Sequence, residues 1–81
     1  SECERAVARE AAVRAAASGR SVSMTAPDNN RQVTASVVGY QPAERREPAC
    51  RTVEYGLADG RSEAEQVQVC ETSPGHWEAM G

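Results

Sequence analysis

CRTVEYGLADGRSEAEQVQVC, residues 50–70, carries a cysteine at each end and an Asp59-Gly60 step at its middle. On both sides of that step β-branched and aromatic residues alternate with polar ones, the period of a strand with one buried face. A three-residue loop at Asp59, Gly60 and Arg61 puts Gly60 where left-handed backbone is needed. In that register Cys50 lies directly opposite Cys70, whereas a two-residue loop would leave them one position apart. The same register gathers Val53, Tyr55 and Leu57 on one face with Val67 and Val69. Opposed residues on paired strands have Cβ atoms about 4.5–5.5 Å apart, close enough for modest local adjustment to reach disulfide geometry. Apolar pattern and cysteine spacing therefore select one register.

Two other chemistries compete for the same cysteines. A redox pair calls for Cys-x-x-Cys at a helix start, which lowers one thiol pKa. A zinc site calls for about four ligands at close spacing, and two distant cysteines with the lone His76 do not supply them. The stretch is read as a hairpin stapled by Cys50–Cys70.

Composition explains why a staple is needed. The 81 residues make one domain, 1–81, and much of the 40% hydrophobic content is alanine. Large apolar side chains are scarce: valines, a lone Leu57, two methionines, Tyr40, Tyr55 and Trp77, with no Phe or Ile. A domain so small buries a limited share of its surface and usually needs cross-links. Three cysteines in a short chain then imply one disulfide and one leftover thiol.

Net charge is −3, with Arg the only long basic side chain and acids interspersed among the arginines. No basic stripe can neutralise a run of phosphates, so nucleic acid is not an expected partner. No apolar run is long enough to span a bilayer. The chain opens on Ser1 without a signal peptide, as expected of a processed protein or of a piece of a longer one.

Outward from the hairpin, residues 1–18 read as a helix of Ala, Arg and Glu, with a favourable Glu10–Arg14 pair and Gly19 as its left-handed stop. Val7, Ala8, Ala11, Ala12 and Ala15 share one side, Glu4 interrupts it and Val13 is expected to point elsewhere. A helix of this length is marginal alone, so it is expected to dock on a sheet. From Ser21 on, short β runs alternate with turn chemistry: Val22 and Met24, a Pro27–Asn30 turn, then Val33, Ala35 and Val37. Val38 before Gly39 breaks the period and implies a bulge or bend. A polar connection between Pro42 and Pro48 leads to the hairpin, and Ser73-Pro74-Gly75 turns the chain into a last strand. The expected fold is α+β: a helix over 1–19, packed on a small antiparallel sheet of four to five strands within 20–81, with one disulfide.

Cys50-Arg51, the Gly60-Arg61 turn, Cys70 and then Gly75-x-Trp77 resemble the C-terminal domain of the rickettsial seventeen-kilodalton surface antigen family. That domain typically shows a Cys-Arg start, a Gly-rich turn, a second Cys and a Gly-x-Trp ending. Upstream, Ala15, Ala16, Gly19, Val22, Met24 and Pro27-Asp28 look like the family's Ala…Gly…Val-x-Trp-x-Asn-Pro-Asp stretch, and Tyr40 falls where an aromatic is common. The similarity runs from Arg14 to Met80. Glu71 replaces the usual Arg, Met24 the usual Trp, and Gln66 and Gln68 stand where an aromatic and a Gly are frequent. The resemblance implies a bacterial periplasmic, outer-membrane or cell-surface domain without catalytic residues or cofactor, which works by contact with a protein or another envelope macromolecule. The alternatives are a small secreted or periplasmic inhibitor of another enzyme, and an accessory soluble subunit of a membrane complex.

His76 beside Trp77 could serve as a ligand or proton shuttle, but a lone His beside a turn is more often solvated, and His76 reads as a solvated side chain. Glu63 and Glu65 read as strand-edge charge rather than a catalytic carboxylate pair, which needs a cleft between its members. Arg45-Arg46 between Glu44 and Glu47 reads as a neutralised loop. Trp77 is expected to be the largest core side chain, with a surface anchor as the rival reading. Cys3 is the leftover thiol: Ser1-Glu2 is no lipidation signal, and the expectation is an inert thiol or a link to another chain, unpaired within its own domain. Cys3, His76 and Trp77 are thus the candidate interaction residues; no catalytic, metal or cofactor residue is assigned.

Overall fold

The computed structural model describes residues 2–80. Helix α1 (Glu2–Ser18) is followed by strands β1 (Val22–Thr25), β2 (Gln32–Gln41), β3 (Cys50–Leu57), β4 (Glu65–Ser73) and β5 (His76–Met80). The strands form one antiparallel sheet in chain order, so every connection is a local turn. The helix packs across one face of this sheet.

Helix α1 stops where the sequence requires. Gly19 adopts φ 72° and its N–H donates to the Ala15 carbonyl at 2.8 Å, a left-handed cap that any Cβ would strain. Ala11, Ala12, Ala15 and Ala16 are fully buried, and their methyl groups let the helix approach the sheet closely. Val13, expected to point elsewhere, packs against the edge of this core. Glu2 and Glu4 complement the positive end of the helix dipole, but the last turn carries no basic residue.

On the sheet side the core is Val33, Ala35, Val53 and Val69. The largest fully buried side chains are Val33, Val53 and Val69, each stabilising by about 1.5–3 kcal/mol through burial. Trp77 is not the centre of the core. It is half-buried at the margin, because a helix face made of alanines leaves no depth for an indole.

The hairpin register is the one its cysteines dictate. Cys50 pairs with Cys70, Val53 with Val67 and Tyr55 with Glu65, and the two cysteines are bonded. The three-residue loop, however, does not form. Leu57 pairs with Val33 of β2 and the Ala58 N–H donates to the Gln32 carbonyl at 2.9 Å. The end of β3 thus follows β2, and the β3–β4 ladder closes at Tyr55–Glu65. Gly60 still takes φ 71°, and Asp59 Oδ1 accepts the Arg61 N–H at 2.9 Å.

The anticipated irregularity at Val38 decides which residues meet. Val37 pairs with Val53, but the next partners are Gly39 with Thr52 and Tyr40 with Arg51. Val38 is the extra residue, and it reverses the alternation of β2 beyond it. Directly opposed residues share a face, so Tyr40 joins Arg51 and Val69 on the helix side. Without the bulge Gly39 would oppose Arg51. Cys50 and Cys70, one position away from Arg51 and Val69, lie on the other face.

Candidate interaction site

Arg51 is the centre of the site. It follows the stapled Cys50 and stands on the helix side of β3, near the C-terminal end of α1. Its guanidinium donates to the Ala16 carbonyl, one of the last helix carbonyls and without an intrahelical donor of its own. This supplies the cation that the last turn of α1 lacks. The same guanidinium lies 4.7 Å from the Trp77 ring centroid and 5.8 Å from that of Tyr40, both within cation–π range. A Cβ at Gly19 would lie 3.8 Å from an Arg51 nitrogen, ordinary van der Waals contact, so the glycine is required by its left-handed backbone and not by space for Arg51.

Each neighbour is placed by local structure. The bulge brings Tyr40 to the helix face and leaves it 60% exposed. Gly75, at φ 77°, turns the chain into β5, where Trp77 faces Glu71 and Ala79 faces Val69. Val38, in the bulge itself, is 53% exposed. The result is an aromatic and cationic patch whose Arg is pinned from three sides. Aromatic and Arg side chains in fixed positions are the usual anchors of macromolecular contacts. The open edge of β2 is a poorer template, because the bulge and Pro42 interrupt its free backbone.

Of the sequence-assigned residues only Trp77 belongs to this patch. His76, its neighbour in the chain, lies on the opposite face of β5, exposed, with Nε2 3.0 Å from Glu78 Oε1. Cys3 is a free, half-exposed thiol at the far end of α1. Tyr40 and Arg51 entered only through the resemblance. The signal for Arg51 was the missing cation in the last helical turn, and the signal for Tyr40 was the parity change at Val38.

The remaining charges of interest are exposed, in the 42–48 connection and at the start of β4. Arg45 and Arg46 form the tip of a small hairpin closed by hydrogen bonds in both directions between Glu44 and Glu47, at 2.9 and 3.1 Å. Neither Arg makes an ion pair among the described residues. Glu65 is exposed, as expected of strand-edge charge, and it also neighbours the Tyr55 hydroxyl. Burial, then hydrogen bonding to Glu65 and its charge, raise the Tyr55 pKa above 10.0, while Arg9 pulls the other way.

Among the described residues no three His, Cys, Asp or Glu side chains gather as a metal site, and no helix is long and apolar enough to cross a membrane. Comparisons with protein-family models, curated proteins and solved structures find no match to this chain.

Proposed function

We propose that this chain is a non-enzymatic domain of the bacterial cell envelope, periplasmic or on the outer membrane or cell surface, that works by binding another macromolecule. The observation that carries this reading is the exposed Tyr40 held over a pinned Arg51–Trp77 pair. A side chain already fixed before contact loses less conformational freedom on binding. The Cys50–Cys70 staple fits an oxidising compartment, and the resemblance to the surface antigen family points to the same address.

A second reading, inhibition of another enzyme, draws on the 42–48 connection. Its tip presents Arg45 and Arg46, its base is closed by the Glu44–Glu47 hydrogen bonds, and two prolines limit its freedom. An inhibitor would insert this tip and leave the Tyr40 patch free.

Both readings meet one experiment. The oxidised domain is immobilised and bound material from a bacterial envelope extract is crosslinked and identified. Wild type is compared with Tyr40→Ser and with the Arg45→Ser/Arg46→Ser pair. A specific partner lost with Tyr40→Ser supports the aromatic patch, and one lost only with the arginine pair supports the inhibitory tip. Capture that neither variant alters would overturn both.

A further inference from the structure

A cleft of about 500 Å³ opens between the N-terminal half of α1 and the sheet, at the end of the helix away from Arg51. Its origin is the alanine helix. Helix α1 packs most heavily on β2 and least on β4, and on its cleft side Ala8 and Ala12 offer only methyl groups. The floor is therefore apolar and incompletely covered: Val33, Leu57, Val67 and Ala79 line it, and all but Val33 are half-buried. Its volume falls within the usual range for small-molecule sites, about 300–1,000 Å³.

The rims carry opposite charges. Arg5 and Arg9, one turn apart, stand on the helix wall, and Glu63, in the β3–β4 connection, and Glu65, the first residue of β4, stand on the opposite wall. No ion pair bridges the cleft among the described residues, so the two rims face each other across open space. Glu4, the remaining acid of the lining, accepts a hydrogen bond from the Asn29 amide outside the cleft. Arg5 and Arg9 donate to no described side chain. Tyr55 supplies an aromatic wall, with its hydroxyl hydrogen-bonded to Glu65 and within the field of Arg9, which leaves the other acceptor positions of Glu65 open to a ligand.

We infer that this cleft binds a zwitterionic amphiphile, with the anionic group of its head against Arg5 and Arg9, the cationic group against Glu63 and Glu65, and an apolar body on the Val33–Leu57–Val67 floor. An anion alone would face the acidic rim, and a cation alone the basic one; a zwitterion satisfies both. The inference is independent of the Tyr40–Arg51–Trp77 reading, because the two sites lie at opposite ends of α1.

Four amphiphiles with the same dodecyl tail, each below its micelle concentration, test it: dodecylphosphocholine, dodecyl sulfate, dodecyltrimethylammonium and dodecyl maltoside. Binding is followed by amide chemical shifts in the oxidised protein. The zwitterion is expected to bind saturably, about fivefold tighter than the other three, since a singly charged head satisfies one rim only and a neutral head neither, and each partly exposed charge contact is modest. Shifts should map to residues 4–12, 55–57 and 63–67. Arg5→Gln/Arg9→Gln should turn the preference toward the cationic head and Glu63→Gln/Glu65→Gln toward the anionic one. Ala8→Leu should fill the cleft and abolish binding, while Arg14→Gln, outside it, changes nothing. Equal affinity for all four heads, preference for a singly charged head in wild type, or shifts outside the cleft would each overturn the inference. So would undiminished binding by a folded Ala8→Leu variant.

Discussion

Arg51→Ala removes one side chain and three contacts at once, and its cost can be worked from the structure. The hydrogen bond from the guanidinium to the Ala16 carbonyl is charge-assisted, a class that contributes about 1.5–3 kcal/mol. Part of that is the interaction of the cation with the C-terminal end of the helix dipole, about 0.3–1 kcal/mol. The Trp77 contact at 4.7 Å adds about 0.5–1 kcal/mol, and the longer Tyr40 contact less. These terms share one group and do not add fully, so the expected loss is about 2–3 kcal/mol. Against a total of roughly 5–12 kcal/mol for a chain of this size, the variant stays folded but melts about 10–20 °C lower. Urea unfolding followed by Trp77, the single tryptophan, measures the loss directly at unchanged m-value. Arg51→Lys keeps the charge but loses the planar fork and the stacking, and should recover less than half. A loss under about 0.5 kcal/mol for Arg51→Ala, or full recovery by Lys, would refute the reasoning that Arg51 ties helix, sheet and rings together.

Other perturbations have equally definite outcomes. Cys50→Ser/Cys70→Ser opens a closure of 20 residues and should cost about 3 kcal/mol by the chain-entropy estimate, read as a lower denaturation midpoint than that of oxidised wild type. Tyr55 has a folded pKa above 10.0, so the fold favours the neutral phenol: its contribution is intact below pH 10 and is lost as pH rises through the folded value. Ultraviolet titration of tyrosinate should show one late-ionising group, absent in Tyr55→Phe, which should also lose this part of the alkaline destabilisation. Cys3→Ser should leave the melting temperature unchanged, because the thiol is free and only half-buried near the helix start. A drop of several degrees would mean that Cys3 takes part in the fold.

The fold was legible where two local signals agreed. Cysteine spacing and valine alternation both led to the Cys50–Cys70 register, and Gly19, Gly60 and Gly75 all take the left-handed backbone that turn chemistry required. What escaped was long-range. The length of the β3–β4 connection depends on Leu57 pairing with Val33, a contact the hairpin sequence alone does not contain. The marginal position of Trp77 depends on how closely four alanines bring the helix to the sheet. The site was less legible than the fold, since Arg51 acts through a helix carbonyl 35 residues away in sequence. The bulge was foreseen at Val38, but its consequence, turning Tyr40 toward Arg51, follows only once β2 and β3 are paired.

The convergence of Tyr40, Arg51 and Trp77 is the claim on which the interaction reading stands, and proton NMR of the oxidised domain tests it most directly. A methylene chain beneath a guanidinium stacked 4.7 Å from an indole centroid lies within the ring current. The Arg51 side-chain protons should therefore be shifted upfield of those of the other arginines and show nuclear Overhauser contacts to the Trp77 ring. Trp77→Leu should abolish the shift, whereas deletion of Val38, the extra residue, should keep Gly39 opposite Thr52 and Tyr40 opposite Arg51 and so preserve the Tyr40 contacts. Arg51 resonances at random-coil positions, with no contact to either ring in the folded oxidised protein, would contradict the account.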